Sequence, residues 1–138
     1  EPNFVAARST MGNVLVQKGF YEEALAEYTK VLELIKGASA IEPSVKAIMA
    51  YAYARWNRRE EAEELLAEVS RAVAAGIALP YSVAAIYCAL GETDSAFEWL
   101  EKAYLQHDLQ FVSLKRDPAL EGLRSDPRFA ELSRRMNF

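Results

Sequence analysis

The chain has 138 residues, 51% of them apolar and 26% charged, with a formal net charge of −4. That is room for one domain with a buried core, and the sparse Gly and Pro exclude a disordered or collagen-like chain. The acidic balance leaves no basic footprint for a phosphate backbone, so direct nucleic-acid binding is not expected.

In chain order, a first helix is predicted over about 5–18, with Met11-Gly12 and Leu15 on one face. Gly19 marks a turn, and a second helix follows over about 21–36, with Ala24, Tyr28 and Val31 at helical spacing. Gly37-Ala38-Ser39-Ala40 reads as a loop, and Pro43 opens a third helix over about 43–56, with Met49-Ala50 and Tyr53. Asn57 marks the next turn, before a helix over about 59–75 with Ala62, Leu66 and Val69. Pro80 opens a fifth helix over about 80–90, with Val83-Ala84 and Tyr87. Gly91 precedes a sixth over about 93–107, with Ala96, Leu100 and Ala103.

The chain therefore repeats itself. Ala62 and Ala96 are 34 residues apart, and Ala24 and Ala62 are 38 apart, which is one such period plus the four-residue loop 37–40. The small residue of each first helix (Gly12, Ala50, Ala84) suits a close helix crossing. Gly19, Asn57 and Gly91 suit a turn that needs positive φ.

After His107 the period stops. Asp117-Pro118 and Asp126-Pro127 each offer a capping carboxylate followed by Pro at the first helical position, so short helices are predicted over about 118–123 and 127–136. Phe129, Leu132 and Met136 form an apolar stripe on the last, with Arg128, Glu131, Arg134 and Arg135 outward. Such a segment suits the capping of an exposed apolar end.

These hairpins resemble the tetratricopeptide repeat family, whose first helix carries a large residue and then L-G-x-x-Y, and whose second carries A-x-x-x-F-x-x-A. The chain departs from the pattern at the first large position, which is Arg8, Lys46 and Pro80, and in lacking the later repeat-end Pro. The resemblance implies an all-α fold, a right-handed α-solenoid of three hairpins (about 5–38, 43–76 and 77–108) with a helical cap over 109–138. The family often places Pro at the end of a repeat. Pro2 is in phase with that position, which implies a further repeat upstream, and the opening Glu1 reads as a domain cut from a longer protein. The stretch from Ala89 through Tyr104, with the two Asp-Pro steps, is similar to repeat arrays at the C-termini of bacterial Ser/Thr kinases and winged-helix regulators.

In this family the first helix of each hairpin lines a concave groove. Carried over by register, that groove presents Ser9, Asn13, Val16 and Gln17, then Ala47, Tyr51, Ala54 and Arg55, then Tyr81, Ala85 and Cys88. Tyr and Arg supply large contact area with directional polar ends, so a protein or peptide partner is expected. The chaperone-binding members grip a terminal carboxylate with several Lys, Arg and Asn, of which Asn13 alone matches, and that activity is not expected. Two alternatives stay open: that these residues pack on the chain's own C-terminal segment, and that the chain is a regulatory, sensor or self-associating domain of a bacterial signalling protein. The cytoplasm is the favoured compartment.

No enzyme is expected. Cys88 and His107 fall on different helices without an oxyanion loop, and both read as structural. Glu60, Glu61, Glu63 and Glu64 diverge around their helix and read as a solvated face, not a metal site. No metal-ligand spacing or Gly-rich phosphate loop implies a cofactor. Trp56 and Trp99 read as packing between hairpins. No apolar run approaches the ~20 residues of a membrane span.

Overall fold

The computed structural model describes residues 2–36, 41–78, 80–106, 114 and 116–135, with the backbone alone for 2–4. Among them all regular structure is helical, as expected, with no strand. The elements are α1 (Pro2–Gln17), α2 (Tyr21–Leu34), α3 (Glu42–Arg55), α4 (Arg59–Ala74), α5 (Pro80–Ala89), α6 (Thr93–Leu105), a 3-10 helix (Pro118–Leu123) and α7 (Pro127–Arg135). The helix α1 starts three residues ahead of the predicted boundary because Pro2 is itself the first helical residue. His107, Met136 and the loop 37–40 lie outside the described residues.

Three connections share one structure. Gly19, Asn57 and Gly91 have φ of 84°, 61° and 79°, the left-handed conformation expected of them. At each, two backbone bonds close the preceding helix. Phe20 N–H donates to Leu15 and Gly19 N–H to Val16, Arg58 to Tyr53 and Asn57 to Ala54, Glu92 to Tyr87 and Gly91 to Cys88. These reversals satisfy carbonyls that a helix end otherwise leaves orphaned. Being so short, they fold α1 on α2, α3 on α4 and α5 on α6 as antiparallel pairs.

The chain forms two compact units, Glu1–Ala78 and Leu79–Phe138. The third hairpin shares a core with the segment that follows it. In the first unit α1–α4 enclose Val16, Ala24, Leu25, Tyr28, Val31, Ile35, Val45, Met49 and Ala52. Gly12 is needed here: a Cβ at this position would stand 2.7 Å from Tyr28 Cζ. The Tyr28 hydroxyl donates to Asn13 Oδ1, and burial pushes its pKa up to about 12. The departures at Arg8 and Lys46 have a physical reason, since each cation reaches a second helix. Arg8 pairs with Glu27 at 2.9 Å, and Lys46 pairs with Glu68 at 2.9 Å.

In the second unit Tyr81, Ala84, Ala96, Phe97, Leu100 and Ala103 share one cluster with Leu114, Leu120, Leu123, Phe129 and Leu132. The two Asp-Pro caps form as expected: Asp117 Oδ1 accepts from Ala119 N–H and Asp126 Oδ1 from Arg128 N–H, both at 2.9 Å. The first of these opens a 3-10 helix over the expected residues 118–123.

Candidate binding site

The helix α1 carries Ser9, Asn13 and Gln17 four residues apart on one face, Ser9 half-buried and the others exposed. Asn13 is held by the Tyr28 hydroxyl from α2. Val16, Ala47 and Ala54 are buried, so of the groove positions they supply wall and not contact surface.

The helix α3 carries Tyr51 and Arg55 one turn apart. Arg55 Nη1 donates to Tyr51 Oη at 3.0 Å, and the guanidinium lies 5.8 Å from the Tyr51 ring centroid. Burial opposes the charge on Arg55, but Tyr51 and Tyr21 outweigh it and raise the pKa. Tyr21 comes from the first turn of α2 and was not among the positions expected. The register argument looks only along first helices, whereas Arg55 at the C-terminal end of α3 reaches across to a second one.

Among the described residues, Arg55 and Lys102, which lies over Trp99, are held by aromatic side chains, unlike the cations in ion pairs. Arg8, Lys46, Arg58, Arg59, Arg124, Arg128, Arg134 and Arg135 all face carboxylates. The partners of Arg55 are tyrosines, so its charge is oriented without being neutralised.

Tyr81, Ala85 and Cys88 are placed differently. The Tyr81 hydroxyl donates to Asp117 Oδ2 at 2.8 Å, and Ala85 and Cys88 pack on the cluster that holds Leu120 and Leu123. A Cβ at Gly122 would stand 3.7 Å from Cys88 Sγ. These three residues thus face the chain's own C-terminal segment, the alternative that the sequence left open.

Two tryptophans expected to pack between hairpins are half-buried, each under a cation. Arg58 lies 4.3 Å from the Trp56 ring and Lys102 4.0 Å from the Trp99 ring. A cleft of about 240 Å³ between α3 and α4 is lined by Glu42, Pro43, Lys46, Glu68, Val69 and Ile77. Its cation is already bridged by two carboxylates, Glu68 and Glu42. Among the described residues no three His, Cys, Asp or Glu side chains cluster as metal ligands would, and no helix is long and apolar enough to cross a membrane.

The C-terminal helix was expected to turn its arginines outward. They are exposed, but two of them grip α6. Arg128 pairs with Asp94 at 2.9 Å and lies 4.5 Å from the Phe97 ring. Arg135 meets Glu101 through two bonds of 2.7 Å and lies 4.5 Å from the Tyr104 ring. Arg135 holds the Glu101 carboxyl below its ordinary pKa.

Comparison with protein-family models, curated proteins and solved structures found no match to the chain.

Proposed function

We propose that the chain is a protein-interaction scaffold whose hairpins are repeats of the tetratricopeptide type. It docks a peptide or protein segment on the first unit, through Tyr51 and Arg55 with Tyr21 beside them and Asn13 and Gln17 on α1. The observation that carries this reading is Arg55, an exposed guanidinium aimed by tyrosine hydroxyls and meeting no carboxylate among the described residues. A cation in that state gains most from a partner's carboxylate or backbone carbonyl, and its orientation is fixed before binding. The aromatic neighbours add contact area at small entropic cost. No catalytic role is assigned to any residue.

The test is a pull-down followed by titration of variants against the captured partner. Arg55→Ala and Tyr51→Ala should each cost about 1–3 kcal/mol of affinity, as central Arg and Tyr contacts do. Glu63→Ala, on the face where Glu63 meets Arg59, should bind normally. Normal binding by both α3 variants with loss in Glu63→Ala would move the site to the opposite face.

A further inference from the structure

We draw no further inference here: the strongest candidate, the cleft of about 240 Å³ between α3 and α4 that Pro43, Val69 and Ile77 line, already has its Lys46 held by Glu42 and Glu68, and nothing in the structure shows what covers it.

Discussion

Replacing Gly12 by alanine sets two effects against each other. A methyl at this position would lie 2.7, 2.9 and 3.0 Å from Cζ, Cε1 and Cε2 of Tyr28, a ring 1% exposed with little room to withdraw. Alanine in a helix interior is worth about 1 kcal/mol more than glycine. Against that, overpacking a filled core costs about 1–3 kcal/mol. Moving the ring also strains the Tyr28–Asn13 hydrogen bond, worth about 1 kcal/mol. The net expectation is a loss of about 1–2 kcal/mol, or roughly 3–10 °C of melting temperature for a chain of this size. The corresponding pairs in the other hairpins show the remedy. Ala50 stands with Leu66 and Ala84 with Leu100, all buried, where the first hairpin has Gly12 with Tyr28. Tyr28→Leu alone should also destabilise, by about 1–3 kcal/mol, through lost volume and the lost hydrogen bond. The double variant should then lose at least about 1 kcal/mol less than the sum of the singles. Urea titration of the four proteins in the cycle measures this directly. Additive losses, or a Gly12→Ala protein more stable than wild type, would refute the reasoning.

Deleting residues 109–138 removes Leu114, Leu120, Leu123, Phe129 and Leu132 from the core they share with α5 and α6, so the remainder should aggregate or melt far lower in a thermal scan. Burial holds the Tyr28 phenol protonated up to about 12, above its ordinary value, so the folded state binds its proton more tightly. Stability should be intact below pH 10 and fall between pH 10 and 12, a loss that Tyr28→Phe removes from the denaturation profile. Arg135→Ala and Glu101→Ala should each lower the melting temperature only slightly, because their side chains are 35% and 42% exposed. Since Glu101 has a depressed folded pKa, this contribution is present above the ordinary carboxylate range and fades as pH falls through the lower folded value. Equal acid sensitivity of wild type and Arg135→Ala would argue against the pair.

The helix boundaries were legible because each rests on a local signal: a left-handed Gly or Asn at the turn, a Pro at the start, a small residue at the crossing. The ends that drifted most are the start of α1, where Pro2 opens the helix three residues early, and the closes of α2 and α6, which stop two residues short. What escaped the sequence were contacts between elements far apart in the chain. Tyr21 joins Arg55 because α2 lies along α3, which no spacing within either helix announces. Tyr81 has the same register as the groove residues, yet its environment is set by Asp117, 36 residues on. The amphipathic pattern of α7 gave the buried side correctly, with Phe129 and Leu132 in the core. It left Arg128 and Arg135 as solvated, because an exposed arginine and one laid over an aromatic ring look alike in sequence.

Those two arginines are nonetheless in phase with the repeat. Arg128 follows Asp94 by 34 residues and Arg135 follows Glu101 by 34, the interval between Ala62 and Ala96. Because both pairs advance together, α7 runs in the same direction as α6, and it begins one period after it. Its charge is reversed. The helix α4 has five glutamates against Arg59 and Arg71, and α6 has Asp94, Glu98 and Glu101 against Lys102, but α7 has Arg128, Arg134 and Arg135 against Glu131. A helix with the α6 sequence placed one period on would bring a second Asp94 to the position of Arg128, carboxylate beside carboxylate. A helix with the α4 sequence would bring Glu60 there. Like charges at such separations repel by about as much as the observed pairs attract. The acidic side of α6 therefore accepts a basic helix and discourages another of its own kind, and the chain supplies that basic helix itself.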